Sequence, residues 1–383
     1  MKRKIFLSKP GLICCAGQNA DELYESCLNG NRKGFTIKNG YPVGLVSESV
    51  LPQCVENTKI LKIIDVAIEQ IRSEIEKAIA VYGREKVGVC LGSCDNGSET
   101  SLAAHKEFFK KGKFPKNYNL CFQSASLPAE YISEKFGLKG PVVTIATACA
   151  SGATAIIRGA ELIRSGLCSA VIAGGADLVS DIVFTGFNTL GVVSDELCNP
   201  FSKNRKGINL GEGAAFFLLD YAAHPCGIEL LGSGESADAF HLTAPREDGA
   251  GPVKAMKAAL LNAELKPEQI GYINLHGTST VHNDKAESLA MTTVFNPVPP
   301  ASSTKPITGH TLGAAGTIEA AVCWMIINKG KVLPVHCWDG VYDDELPPLP
   351  LDVREGTPSI CMSNSYAFGG CNVSLILGKR THD

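Results

Sequence analysis

Short runs that are apolar at almost every position, separated by stretches of helical periodicity, do most to limit what this chain can fold into. VGVCLG (87–92), VVTIATAC (142–149), AVIAGGADL (170–178) and AAFFLLD (214–220) read as strands in the first part of the sequence. GIELLGSG (227–234), GYINLHGT (271–278), PSICMSNS (358–365) and NVSLILG (372–378) read as strands in the second. Continuous apolar runs suit strands covered on both faces. Their alternation with helices predicts an α/β fold with mainly parallel strands. Ala153, Ile156, Ile157, Ala160 and Ile163 recur at helical spacing with Gly166 as a stop, and Lys59 to Val81 is predicted as one long amphipathic helix. A turn at Tyr221–Cys226, marked by Pro225, divides the chain into two comparable α/β halves, 1–222 and 223–383, although no repeat is visible in residue identity.

A length of 383 residues allows a large core, as one fold or as two fused halves. With 45% hydrophobic and 20% charged residues and a net charge of −3, nothing global points to nucleic acid or membrane. An acidic partner would need a local basic patch. The fifteen cysteines do not read as a disulfide set: the number is odd and no Cys-x-x-Cys occurs. Neither the adjacent Cys14 and Cys15 nor the pair Cys90 and Cys94 matches zinc spacing, so reduced thiols are expected. The opening MKRKIFLSKPGLICCAG imitates a secretory leader, but Lys9 and Pro10 interrupt its apolar part and predict a first strand instead. Ala320 to Ile327 is too short to span a bilayer, and a cytoplasmic location is expected.

TIATACASGATAI (144–156) places Cys149 between a strand and a run of small residues. A free cysteine packs well in a core, which is one reading. The other is a nucleophile at a strand-to-helix turn, where converging N–H groups and the helix dipole would favour a thiolate. INLHGTSTVHNDKAES (273–288) sets His276 at the carboxyl end of a strand, where α/β proteins place their chemistry, and His282 in what reads as a loop. A satisfied core histidine is the bland alternative for His276. SSTKPITGHTLGAAGTIEAA (302–321) holds Lys305 and His310 before a helix start and Glu319 on that helix, so a Lys305–Glu319 pair would keep a charged lysine in a partly buried site. SNSYAFGGCN (363–372) has two glycines after Phe368, as a mobile or closely approached loop requires. One thiol and two histidines in separate segments match what acyl transfer through a thioester needs.

ATAC-x-SG, HGT-x-T, STK-x-x-TGH-x-LGAAG and NS-x-x-FGG, with PFSKNRKGINLGEGA (200–214), stand in an order and spacing that resembles the β-ketoacyl-[acyl carrier protein] synthases. The resemblance runs from about residue 5 to 379 and implies a thiolase-like fold: two similar α/β halves in α-β-α-β-α layers. The first half would carry the nucleophile, the second the two histidines and the Phe-Gly-Gly gate. Cys149 would accept an acyl chain from carrier-protein phosphopantetheine. His276 and His310 would bind the malonyl carbonyl and promote decarboxylation, after which the carbanion attacks the acyl thioester. The N–H groups of Cys149 and Phe368 would form an oxyanion hole. Lys305, paired with Glu319, would maintain the electrostatics around His310. Thr278 and Thr280 match positions that contact pantetheine, and Phe368 matches the gate. No permanently bound cofactor and no metal are implied.

GYINLHGT, GESADAFHLTAP (234–245), YGREKVGV and AFGG look most like the compact ketosynthases of bacterial aryl-polyene clusters. Those relatives elongate aryl-primed polyenes, as homodimers or beside a chain-length-factor partner without the cysteine. The sequence departs from the elongation synthases in its shorter first part and in Ala367, where the gate commonly begins with Gly. A non-catalytic chain-length factor should lack the thiol that Cys149 provides. A coenzyme A thiolase would use a second cysteine near the last glycine loop, where Cys371 lies in a position held by a small residue or Asn in synthases. Carrier proteins are acidic, and Lys59 with Lys62, Lys110 to Lys116, and Lys203, Arg205 and Lys206 are the candidate docking clusters.

Overall fold

Each apolar run contributes a strand, and the strands join into one large sheet. The computed structural model describes residues 3–53, 58–95, 97–222, 224–330 and 332–379. Met1 and Lys2 of the leader-like opening and Ala223 of the dividing turn lie outside the described residues. The strands are β1 (Phe6–Leu7), β2 (Gly11–Cys14), β3 (Phe35–Lys38), β4 (Tyr41–Gly44), β5 (Val87–Gly92), β6 (Val142–Ile145) and β7 (Ala170–Asp177). They continue with β8 (Gly213–Asp220), β9 (Glu229–Ala237), β10 (Tyr272–Asn274), β11 (Ala301–Ser302), β12 (Ile360–Ala367) and β13 (Cys371–Gly378). The helices are α1 (Ala20–Asn29), α2 (Lys59–Glu69), α3 (Arg72–Tyr82), α4 (Ser98–Lys111), α5 (Leu127–Phe136) and α6 (Ser151–Arg164). After them come α7 (Asp181–Thr189), α8 (Ala250–Ala263), α9 (Val281–Val294), α10 (Lys305–Thr308) and α11 (Ala315–Lys329).

The strand order is β11-β10-β12-β13-β9-β1-β8-β7-β5-β6, with β2 also on β8. Only β5 with β6 and β7, and β10 with β11 and β12, pair in parallel; β7–β8, β12–β13, β13–β9 and both pairings of β1 are antiparallel. The sheet is therefore mixed, which corrects the expectation of mainly parallel strands. The apolar runs reported burial on both faces, and here antiparallel strands share it. In β8, Phe216 and Leu218 enter a core under α2, α3 and α5, while Phe217 and Leu219 enter another around α6 and α11. A third core holds Met256 and Leu260 of α8 against Ile273 and Ile376. Helices, one half of the sheet, central helices α6 and α11, the other half of the sheet and helices thus alternate, giving the layered thiolase-like arrangement.

Two local expectations change. Lys59 to Val81 is two helices, because the backbone leaves the helical conformation at Ile71 (φ −115°, ψ 15°), and the Gln70 side chain before it turns to Leu12. Its Nε2 donates to Leu12 O (2.9 Å), and its Oε1 accepts from Leu12 N (3.2 Å). The run 142–149 stops being a strand at Ile145, leaving Cys149 in a turn of its own.

Asp177, at the carboxyl end of β7, ties the strand ends together. Its buried carboxylate accepts from Ser93 Oγ (2.8 Å), Cys94 N (2.9 Å), Asp95 N (2.8 Å) and Gly313 N (2.5 Å). Burial pushes its pKa up to about 6, and the four donors hold it down from a higher value. Asp177→Ala orphans these donors and is expected to cost about 3 kcal/mol or more. Urea unfolding should show a lower midpoint at an unchanged slope. A midpoint equal to wild type contradicts this role.

Candidate active site

From the end of β6 the chain turns through Thr147 into one 3₁₀ turn, Ala148–Ala150, before α6 begins. Ala148 has φ of 48°, a left-handed conformation that costs a residue with a Cβ about 1–3 kcal/mol. Ser151 holds it: Thr147 N donates to Ser151 Oγ (2.9 Å), which donates to Ala148 O (2.6 Å). Gly152 follows where a Cβ would lie 2.5 Å from Thr317 Oγ1, so only glycine lets α6 run so close to α11. This turn delivers the Cys149 side chain, 6% exposed, into a cavity.

Cys149, His276, His310, Thr278, Thr280 and Phe368 all line that cavity. His310 Nε2 is 3.0 Å from Cys149 Sγ. The rings of His276 and His310 stand edge to face with centroids 5.5 Å apart. Thr278 and Thr280 hydroxyls bond each other at 2.9 Å. The Phe368 ring stacks on Phe187 at 5.8 Å, and Gly369 N donates to Leu242 O (2.7 Å). Gly369 and Gly370 have φ of 83° and 75°, which explains the two glycines after Phe368. Six of the eight residues singled out therefore meet in one place, and the other two stand behind it.

Those two are Lys305 and Glu319, each 2% exposed, so the lysine is more deeply buried than the sequence indicated. Lys305 Nζ donates to Glu319 Oε1 (2.5 Å) and to His276 O (2.5 Å), and lies 3.3 Å from His276 Nδ1. The ammonium is in contact with His276, and its charge also acts on His310. A donor at Nδ1 leaves the His276 proton on Nε2, where it can donate into the cavity. Burial pushes Glu319 up to about 7, against the pull of Lys305. Burial, then the Lys305 charge, hold both histidines well below the usual imidazole range, so both are neutral at pH 7.

The expected thiolate is not what this environment favours. Burial pushes the Cys149 thiol up to about 12; Lys305 pulls it down, while Asp177 and Glu319 push it further up. The resting pair is a neutral thiol beside a neutral imidazole that can accept its proton. Alkylation of Cys149 by iodoacetamide should therefore accelerate about tenfold per pH unit through the range where a free cysteine, with a pKa of about 8.5, levels off. A plateau at or below that midpoint contradicts the burial effect.

Three contributors escaped the sequence. Besides Asp177, Glu287 accepts from His276 N (2.8 Å) and Gly277 N (2.7 Å), and Asp284 accepts from Phe201 N (2.7 Å). Burial raises Glu287 to about 8 and Asp284 to about 6. His282 is not in a loop: it belongs to the first turn of α9 and lines the cavity. Cys371 does not line the cavity, although Gly370 and Asn372 on either side of it do. All the described cysteines are free thiols.

A turn that presents a thiol to one imidazole, with a second imidazole opposite, on a layered thiolase-like scaffold, defines an acyltransferase that works through a cysteine thioester. Residues 61–224 match the β-ketoacyl synthase N-terminal domain and residues 228–337 its C-terminal domain. The chain belongs to the β-ketoacyl synthase family. It is 33% identical over 314 residues to 3-oxoacyl-[acyl-carrier-protein] synthase 2 of Staphylococcus aureus (strain COL), covering 77% of this chain and 75% of that one. The synthase 2 of Vibrio cholerae is 35% identical over 318 residues, covering 77% and 76%. Among solved structures, a chain of the ketosynthase (ApeO) in complex with its chain length factor (ApeC) from Xenorhabdus doucetiae aligns with a TM-score of 0.92 at 36% identity, covering 99% and 98%. A β-ketoacyl synthase from Burkholderia phymatum aligns at 0.87 and 27% identity over the whole of both chains.

Proposed function

We propose that this chain condenses an acyl group held on Cys149 with malonyl-[acyl carrier protein], extending a polyketide of the aryl-polyene type. The observation that carries the reading is Cys149 Sγ at 3.0 Å from His310 Nε2, with His276 facing the same space. The thiol attacks the incoming thioester carbonyl while His310 takes its proton and returns it to the departing pantetheine sulfur. With Cys149 acylated, its sulfur has no proton to give His310. His310 Nε2 therefore no longer accepts from the thiol, and the neutral ring carries its one proton on Nε2 instead of Nδ1. His276 Nε2–H and His310 Nε2–H then donate to the malonyl thioester oxygen as carbon dioxide leaves and charge develops there. The carbanion attacks the acyl carbonyl, whose oxygen meets the N–H groups of Cys149 and Phe368. The products are 3-oxoacyl-carrier protein, carbon dioxide and, after taking up one proton, the free thiol. Lys305, held by Glu319, fixes the His276 tautomer. Thr278 and Thr280 offer hydroxyls to the pantetheine amides.

The aryl-polyene assignment is supported by the near end-to-end match to ApeO at 36% identity. Among the described residues no second thiol lines the cavity, which disfavours a thiolase reading. The reading of residues 1–222 and 223–383 as two similar halves is supported by the strand pairing, since each half contains two parallel pairs followed by an antiparallel one. β6 ends the sheet with Val142 38% exposed, an apolar edge suited to pairing with a second copy or with a chain-length-factor subunit. ApeO is seen with its chain length factor, which supports the heterodimer. No described helix is long and apolar enough to cross a membrane, and we assign the protein to the cytoplasm.

For the carrier protein, two basic clusters are largely neutralised. Lys59 pairs with Glu212 (2.6 Å), Lys203 with Asp344 (3.4 Å), Lys206 with Glu196 (2.7 Å), and Arg205 is buried against Asp343. Lys110, Lys113 and Lys116 are exposed and have no ion pair among the described residues, which favours that cluster. Intact-mass analysis of carrier protein after incubation with acyl- and malonyl-loaded forms tests the function. A 3-oxoacyl product supports it; loading only from free acyl-coenzyme A contradicts it.

A further inference from the structure

At the starts of α2, α4 and α5 lies a second, narrow cavity whose walls include Ile60, Phe122, Leu127 and Leu178. Its polar lining combines two carboxyl groups, Asp95 and Glu99, with the hydroxyls of Thr58, Thr100 and Ser124. Asp95 is 4% exposed. Its Oδ1 accepts from Ser98 N (3.0 Å) and Ser98 Oγ, but its Oδ2 has no hydrogen-bond partner among the described residues. Thr58 Oγ1 has none either. The nearby ammonium of Lys59 is engaged by Glu212 at 2.6 Å and Glu48 at 3.5 Å. A buried carboxylate oxygen without a donor is costly, and such groups normally find a partner. The cavity is thus built to receive a hydrogen-bond donor at the end of something apolar.

Its position relates it to the thioester. Asp95 N and Gly313 N bind the same Asp177 carboxylate, and Cys94 Sγ lies 3.9 Å from Ser151 Oγ, two residues beyond Cys149. Cys94 and Phe187 pack on one apolar cluster that contains Ile208. Phe187 and Ile208 also line the Cys149 cavity. The material between the Cys149 cavity and Cys94, the residue next to Asp95, therefore includes an apolar cluster that an acyl chain would have to part.

We propose that Asp95 determines specificity: its free Oδ2 accepts a hydrogen bond from a hydroxyl at the far end of the acyl chain carried on Cys149. This rests on the acyl-thioester function proposed above. A pocket that hydrogen-bonds a substrate hydroxyl rejects the analogue lacking it far more strongly than it senses one methylene. Asp95→Asn is the informative substitution, because it keeps the Oδ1 acceptor for Ser98 and replaces the free acceptor by a donor.

Loading of Cys149 from carrier protein is to be followed by intact mass with four primers: a phenolic acyl chain and its unhydroxylated phenyl analogue, and an ω-hydroxy fatty acyl chain and its plain analogue. Wild type should load at least one hydroxylated member about tenfold or more faster than its analogue. The pair that shows the preference identifies a phenol or an alcohol as the donor. Asp95→Asn should lose the preference while loading the plain primers at the wild-type rate. Equal loading within both pairs by wild type, or a preference that survives Asp95→Asn, overturns the proposal. Failure of wild type to load any primer contradicts the thioester function itself and the proposal with it.

Discussion

Cys149→Gln is expected to lose condensation entirely while still decarboxylating malonyl-carrier protein, faster than wild type. The glutamine amide occupies the space of an acylated cysteine, offers a carbonyl oxygen to the same N–H groups, and has no nucleophilic sulfur. It also leaves His310 Nε2, which in the wild-type resting state faces the thiol at 3.0 Å as acceptor, free to carry the ring proton and donate it. The substitution thus holds the site in the state that follows acylation. Carbon dioxide release without 3-oxoacyl product, together with acetyl-carrier protein by mass, is the expected result. Cys149→Ala should abolish loading, and Cys371→Ser should leave it intact, since Cys371 does not line the cavity. Acyl transfer surviving in Cys149→Ala would remove the thiol from the chemistry.

How these residues could be read in advance differs from one to the next. Cys149 and His276 were visible because each follows an apolar run and precedes small residues, the local signature of a strand end opening on a cavity, and His310 because it stands just before the small-residue helix start LGAAG. Lys305 was visible because a lysine amid glycine, alanine and threonine has little room to reach solvent. The residues that hold these groups in place were not. Asp177 acts on Ser93, Cys94, Asp95 and Gly313, which lie far from it in sequence, so no local pattern marks it. Glu287 lies within a quoted segment, yet its action on His276 N and Gly277 N depends on α9 folding back over β10.

The reversal at Cys149 has the same origin. The helix start that favours a thiolate is local, whereas the burial that opposes it comes from His276, His310 and the Phe368 loop, all distant in the chain. Strand direction was hidden for a related reason. An all-apolar run such as AAFFLLD records two covered faces, but not whether its neighbour runs with it or against it.

The central claim is that two neutral imidazoles, not the thiol, drive loss of carbon dioxide. The direct measurement is the decarboxylation rate of malonyl-carrier protein in Cys149→Gln, alone and combined with His276→Ala or His310→Ala. Each histidine removes one donor from the developing enolate oxygen, worth about 10²-fold or more where such donors have been deleted. Both rates should fall by at least that factor, with the fold intact by circular dichroism. Decarboxylation unchanged in both double variants would contradict the assigned roles, even with Cys149 established as the nucleophile.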